Sequence, residues 1–393
     1  MTGSRTPNLG ELRLVSGAGR REDDRVTFLH VVGSLSGAIR LAPVISALES
    51  QASINQVLVD VTDPDDGRRL EAVLADLGLP APDHALGVTT TTGSKQTAET
   101  LVAFERLLDD LRPELVVLCG SVNTTLACAL ATTKRRIALA HLDAGLRSAG
   151  PLREDMNRQL ADHMADTLLA PTIEAGAALC AEGIPDTRVH VTGSTAVAVL
   201  RRSIRAAAAL ERWRKFDVQQ GQYVLVALTS RASLDDDAWR RGMKDAVTEL
   251  AASAPVLLSL PPCALRKSSA QTDLDALAAA GVRLVPPLGY LDFLSLQAGA
   301  GAVVTDSGAL QDEACALGVS CHTLGSSTDR PVTLTHGKNV LLGDDPRAIA
   351  AVRPTSWSPT PSAIPFWDGR AGERAADVLV SHYVLRNGIE ALS

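Results

Sequence analysis

The feature that most constrains the fold is a regular alternation of short apolar runs with amphipathic helical patterns. "RVTFLHVV" (25–32) is followed by "GAIRLAPVISALES", "PELVVLCG" (113–120) by "NTTLACALATTK", and "RIALAH" (136–141) by "EDMNRQLADHMAD"; "TRVHVTG" (187–193) closes this series. A second series starts near residue 221 with "QYVLVALT", "PVLLSLP", "VRLVPPL", "AVVTDSG" and "VSCHTLG", each with a helical pattern after it. Runs that are apolar at successive positions are buried on both faces, which means parallel strands covered by helices on either side. Two such series in 393 residues imply an α/β protein with two Rossmann-like, doubly wound domains facing a cleft. The first domain is expected over 26–195 and the second over 196–368, with a hinge near 194–205. The segment 369–393 reads as a helix that packs back on the first domain. Residues 1–25 are mixed in charge and lack an apolar core, so they read as a partly disordered arm and not as a secretory signal. "RPTSWSPTPSAIP" (353–365) reads as a proline-rich surface connection.

Composition narrows the class of partner. A net charge of −7 argues against a general nucleic-acid binder and against a polybasic membrane patch. An anionic ligand stays open, because a local pocket of amides and arginines is sufficient for one. No stretch approaches the length of uninterrupted apolar sequence that a membrane span needs. Only 3% of residues are aromatic, so the core must be built from Ala, Val and Leu. The six cysteines (119, 128, 180, 263, 315, 321) form no CxxC pair and show no zinc spacing. They read as buried free thiols of a cytoplasmic protein.

In doubly wound sheets, ligands bind beyond the carboxyl ends of the strands, and four segments there are able to carry chemistry. In "VVTDSGALQDEACALG" (303–318) a strand ends at Asp306-Ser307-Gly308 and a helix begins at once. Ser307 is placed to cap that helix, Gly308 permits close backbone approach, and Glu313 sits just inside. The segment is either a capped helix with an acidic first turn or a phosphate site with a carboxylate for a ribose diol. "VVGSLSGAIRLAPV" (31–44) is a glycine-rich turn into a helix carrying Arg40; it is a tight connection or a second phosphate loop. "VVLCGSVNTTLACAL" (116–130) offers hydroxyls and an amide but no acid or base. In "ALAHLDAGLRSAGPLREDMNRQLADHMADTLLAP" (138–171) an apolar run turns abruptly polar, with His141, Asp143, Arg147, Arg153, Glu154, Asp155 and Arg158 close together. These are a solvated helix start or the wall of an active site, where two carboxylates and a histidine would move protons.

Taken together and in order, these segments resemble the UDP-N-acetylglucosamine 2-epimerase family over roughly 26–385. "AHLDAGLRS" is similar to its His-x-Glu-Ala-Gly-Leu-Arg signature, and "REDMNRQLADHMADTLLAPT" to its Pro-Glu-Glu-x-Asn-Arg helix and following strand. "VTGST", "VVTDSGALQDEA", "STDRPV" and "PFWDGRAGERAADVL" resemble its remaining signatures. The resemblance implies a glycosyltransferase-B type fold with UDP in the cleft; no metal or organic cofactor is suggested. It implies that Ser307, Gly308 and Glu313 hold phosphate and ribose, that Phe293 lines a uracil pocket and that Arg40 faces phosphate. Asp143 and Glu154 would transfer the C2 proton of the sugar, with His141 catalytic beside them; Arg147, Asn157 and Arg158 would complete the substrate wall. A homodimer formed through the first domain is also implied.

Several family positions carry other residues. Ser121 stands where the family usually has an acid, and Asp143 is one methylene shorter than the family's Glu. "GSLSG" (33–37) lacks the family's arginine and glutamate, Thr229 stands in place of a histidine, and Cys263 in place of another. A displacement of about 1 Å at a reacting group costs on the order of 100-fold in rate. The expected activity is therefore C2 epimerisation of UDP-N-acetylglucosamine or a close analogue. UDP-sugar-dependent glycosyl transfer, or UDP-sugar binding as partner of an active homologue, are the alternatives. The sequence offers no Gly-x-Gly-x-x-Gly with a downstream acid after the first strand, which sets aside an NAD-type reading.

Overall fold

The computed structural model describes residues 25–63, 67–88, 93–148, 153–261, 268–355 and 363–386. The expected N-terminal arm lies outside the described residues except for Arg25, as do Cys263 and most of the proline-rich connection. Among the described residues the strands form two parallel sheets.

The first half runs β1 (Val26–Val32), α1 (Leu35–Leu48), β2 (Ile54–Asp60), α2 (Gly67–Leu77), β3 (His84–Ala85), α3 (Gly93–Leu111), β4 (Leu115–Cys119), α4 (Asn123–Lys134), β5 (Ala138–Leu142), α5 (Arg153–Met164), β6 (Thr167–Ala170), α6 (Ile173–Ala181) and β7 (Val189–Val191). Its strand order is β3-β2-β1-β4-β5-β6-β7. Alternate residues of β1 point to opposite faces, as a pleated strand requires. Phe28 and Val32 join one apolar layer with α1 and α2, while Leu29 and Val31 join the other with Phe104 of α3 and Cys128 of α4.

The helix α7 (Thr195–Ala209) leads to the second half. There follow β8 (Val224–Ala227), α8 (Arg231–Asp235), α9 (Asp237–Ala251), β9 (Val256–Ser259), α10 (Ser268–Ala279), β10 (Arg283–Val285), α11 (Tyr290–Gly299), β11 (Ala302–Thr305), α12 (Gly308–Leu317), β12 (Cys321–Leu324), α13 (Pro331–His336) and β13 (Asn339–Gly343). The order is β10-β9-β8-β11-β12-β13. The closing helix α14 (Ala371–Arg386) packs on α1, α7 and β6.

The segment 194–205, expected as a hinge, is part of α7, a continuous helix capped by Ser194 and packed on α1 and α11. Its periodic apolar face (Val197, Val199, Leu200) explains why it folds as a helix. Among the described cysteines, Cys119, Cys128, Cys315 and Cys321 are buried, whereas Cys180 is exposed. Among the described residues no helix is long and apolar enough to cross a membrane.

In each sheet the strand order reverses once, between β1 and β4 in the first and between β8 and β11 in the second. The loops at the carboxyl ends of those strands are where a doubly wound sheet opens a crevice. Both crevices open onto the same cleft, and side chains from both halves meet there.

Candidate active site

The centre of the cleft is a buried network of ionised side chains. Arg40, on the buried face of α1, donates from Nη1 to Ser36 and brings its Nε within 2.7 Å of Asp143 Oδ2. Asp143 follows β5 with φ of 62°, a left-handed conformation that an Asp tolerates better than most residues. That turn directs its carboxylate back into the cleft, where Arg330 Nη2 of the second half approaches at 3.4 Å. Arg330 also pairs with Asp312 through Nε at 2.9 Å and with Asp329 through Nη1 at 3.3 Å. Arg158 of α5 donates to Ser121 Oγ at 3.2 Å and pairs with Asp329 at 3.1 Å, a second ion pair across the cleft. Three arginines thus face three aspartates, Asp143, Asp312 and Asp329, shielded from solvent: Arg40, Arg158 and Arg330 are each no more than 6% exposed. Charges this deeply buried persist only when paired with opposite charges.

Electrostatics divides these acids. Burial alone would lower the Arg330 guanidinium, but Asp329, Asp312 and Asp143 outweigh it and hold it up. For Asp329, burial works upward and is overcome by Arg330 and Arg158, so it sits below the usual carboxylate range. Asp312 is different: burial pushes it up to about 7, with Arg330 pulling it only partly back. Its Oδ1 is buried without a hydrogen-bond partner. Glu313 is likewise pushed up to about 7 by burial, and a hydrogen bond from the Tyr290 hydroxyl at 3.1 Å works against that rise.

Ser307 occupies the N-cap of α12, but its side chain makes no cap hydrogen bond; its backbone N–H is held by Thr305 Oγ1 at 3.0 Å. The first amides of α12 are consequently left for another acceptor, the arrangement that suits a phosphate. Gly308 is required by its neighbours: a methyl there would lie 2.8 Å from Asp329 Oδ1 and 3.3 Å from Arg330 Nε. Phe293, half-buried on α11, packs into the apolar layer of the second sheet.

His141 and Arg147 lie apart from this network. The His141 ring is fully buried, with Nδ1 2.7 Å from Asp162 Oδ1 and Nε2 2.8 Å from the Gly120 carbonyl. Each ring nitrogen therefore faces an oxygen acceptor. Asp162 Oδ2 accepts from the Gly145 N–H at 3.1 Å and pairs with Arg147 at 2.8 Å. Burial raises Asp162, but His141 and Arg147 outweigh it and its carboxylate is held below its ordinary range. Arg147 turns outward onto Glu182, through Nε at 2.7 Å and Nη2 at 2.8 Å. His141, Asp162 and Arg147 therefore brace the loop that presents Asp143.

Asn157 ties α5 to the β4–α4 connection by donating to the Ser121 carbonyl at 3.0 Å and to Asn123 Oδ1 at 3.1 Å. Asp155 accepts from the backbone and hydroxyl of Ser148 and supports Arg158. Glu154 falls in the first turn of α5; its side chain, like that of Arg231, lies outside the described residues. Thr229 donates from N and Oγ1 to Asp306, which also accepts from the Ser230 N–H and so fixes the β8 loop against α12.

Sequence reasoning passed over Arg330, Asp312, Asp329 and Tyr290. A signal for the first three was present: each lies within a segment, "QDEA" or "STDRPV", that carries the family resemblance. Asp155, Arg158 and Asp162 recur at the spacing of a helix's buried face, where charge is exceptional.

Two doubly wound sheets meeting over a charged cleft define a two-domain α/β protein of the glycosyltransferase-B type. The family model for UDP-N-acetylglucosamine 2-epimerase matches residues 46–380, and the chain belongs to that family. It is 31% identical over 362 residues to the UDP-N-acetylglucosamine 2-epimerase of Methanocaldococcus jannaschii, a match covering 89% of this chain and 97% of the relative. It is 29% identical over 358 residues to the UDP-2,3-diacetamido-2,3-dideoxy-D-glucuronate 2-epimerase of Pseudomonas aeruginosa, covering 89% and 98%. The crystal structure of the Methanocaldococcus jannaschii enzyme in complex with UDP-GlcNAc and UDP superposes with a TM-score of 0.80 at 28% identity, over 91% of this chain and 100% of that one.

Proposed function

We propose that this chain epimerises C2 of a UDP-2-acetamido sugar, UDP-N-acetylglucosamine or a close analogue, by eliminating and re-adding UDP. The observation that carries the reading is the convergence of Arg40, Arg158 and Arg330 on one buried point beside Asp143 and the uncapped start of α12. A diphosphate supplies the anionic oxygens that such a set of guanidinium groups accepts, and its departure is favoured by the same cations.

In the forward step a carboxylate takes the C2 proton while the C1–O bond breaks, giving UDP and an unsaturated 2-acetamido sugar. In the return step UDP adds to C1 and a proton is delivered to the opposite face of C2. We assign these transfers to Asp143 and Glu154, with His141, Arg147 and Asn157 holding the loops that carry them. Glu313, Ser307, Gly308 and Phe293 receive the nucleoside and its phosphates.

A second reading rests on Ser121 and Thr229, hydroxyl residues that are already engaged with Arg158 and Asp306. Fewer proton carriers suit transfer of the sugar to an acceptor, or nucleotide-sugar binding beside an active homologue. Anion-exchange chromatography after incubation with UDP-N-acetylglucosamine separates the readings. The epimerase reading expects a UDP-N-acetylmannosamine peak, or free UDP with N-acetylmannosamine. An unchanged chromatogram that converts only when an acceptor is supplied would favour transfer instead.

We also propose a cytoplasmic homodimer built through the first domain. The exposed apolar side chains of Met156 and Leu160, one turn apart on α5, and of Val102 on α3 support this. Light scattering of the purified protein at twice the chain mass is the expected result. The division at 195/196, with α14 belonging to the first domain, is part of the same proposal.

A further inference from the structure

The second half's helix α11 begins at Gly289 and Tyr290 with no side-chain cap of its own. Its second N–H, on Leu291, is taken by Asp76 Oδ2 at 3.1 Å, and Asp76 belongs to α2 of the first half. Asp76 sits in the last turn of α2, where a negative charge is unfavourable to that helix but favourable to a helix start facing it. Position 289 leaves the space it needs: a methyl there would overlap Asp76 Oδ2 and lie 3.3 Å from its Cγ. The end of α2 is itself secured, since Arg202 of α7 donates to the Leu77 carbonyl at 2.9 Å.

Behind this contact, Tyr290 and Leu294 of α11 enter the apolar layer of the first half beside Leu70, Val73 and Leu77 of α2. The Tyr290 hydroxyl then reaches Glu313, and Phe293 lies on the same helix. One hydrogen bond across the domain boundary is thus continuous with two side chains assigned above to the nucleoside.

We infer that Asp76 is a positioning residue that caps α11 across the cleft and couples closure of the two domains to the geometry of the nucleoside site. It touches no substrate. This rests on the nucleotide reading given above, because its functional consequence is affinity for UDP.

Loss of a helix cap corresponds to about a 10-fold change in an equilibrium, or about 1.4 kcal/mol. Asp76→Ala is expected to weaken UDP binding about 10-fold and to raise KM with little change in kcat, because saturating substrate restores closure. It should also speed hydrogen exchange at the Leu291 N–H. Asp76→Asn keeps an acceptor oxygen and should restore most of the affinity. Gly289→Ala provides the reciprocal test. Gly289 has φ of −67°, which alanine adopts freely, and the atom it displaces is the end of a side chain. It should reproduce Asp76→Ala, and the double variant should be no worse than either single one. Unchanged Leu291 exchange in Asp76→Ala, or additive losses in the double variant, would overturn the inference. If the unmodified protein fails to bind UDP, the nucleotide reading is what has failed, and Leu291 exchange still judges the cap.

Discussion

Asp143→Asn separates two roles proposed for one carboxylate, proton transfer and competition with phosphate for Arg40 and Arg330. Asparagine keeps the shape and tolerates the left-handed backbone at this position (φ of 62°), whereas alanine would add backbone strain to the result. The substitution removes the charge that Arg40 approaches at 2.7 Å and Arg330 at 3.4 Å. If Asp143 carries the C2 proton, kcat falls by about 10²- to 10⁴-fold. The same change frees two buried arginines. Hydrogen bonds to charged groups contribute about 1.5–3 kcal/mol each, so a ligand diphosphate no longer competing with Asp143 should bind about 10-fold tighter or better. The ligand-free protein should lose about 3–5 kcal/mol, because a buried ion pair has been broken from one side, and UDP should restore much of this loss. Stopped turnover with tightened UDP binding, read by calorimetry and by the UDP-induced rise in Tm, is the expected combination. Turnover within a few-fold of the parent would refute the proton-transfer role. Weakened UDP binding would refute the competition between Asp143 and phosphate.

Three further outcomes follow from particular contacts. The His30 ring is buried on β1, which lowers it from 6.5 to about 4. The unfolded chain therefore binds a proton between those values that the folded protein does not, and stability falls by about 3 kcal/mol as pH drops through that window. Urea unfolding of His30→Leu at pH 7 and pH 4 should show that share of the acid loss removed; an identical loss in both proteins would contradict it. Tyr290→Phe removes the bond that works against the upward shift of Glu313, so the carboxyl should rise beyond about 7. If ionised Glu313 accepts from the ribose, UDP affinity increases with pH through that value. The variant's midpoint should then lie higher, with the two curves converging at alkaline pH. Gly145 has φ of 79°, and a methyl there would overlap the Ala175 carbonyl and lie 2.9 Å from Leu179 Cγ. Gly145→Ala should cost about 3 kcal/mol or more in chemical denaturation; a loss below 1 kcal/mol would show that the loop repacks.

The architecture was legible because continuous apolar runs have few ways to be buried. Strands such as "PELVVLCG" and "AVVTDSG" are flanked by turn residues and helical periodicity, and they form β4 and β11. Strands β2, β3 and β13 carry no such signal. Asn55 and Gln56 interrupt the apolar run of β2, and β3 is only two residues long. At the site, the burst of charge after β5 identified the right region but not the direction of each side chain. Asp143 and Arg147 are four residues apart, yet the left-handed turns at Asp143 and Gly145 send one into the cleft and the other onto Glu182. His141 is on the strand itself, where the pleat points it beneath the loop toward Asp162. Arg330 is 187 residues from Asp143, and local spacing carries no information about a partner that only the meeting of two sheets supplies.

The central claim is that the acids of this cleft still move the C2 proton of a UDP-2-acetamido sugar. Proton NMR of the purified protein with UDP-N-acetylglucosamine in D₂O tests it directly. Loss of the C2 proton signal as deuterium enters is expected, together with a manno product that is UDP-linked or free. Saturation transfer from protein to the uridine, with the C2 signal undiminished, would contradict it: the cleft would then bind the nucleotide sugar without the proton chemistry assigned to Asp143 and Glu154.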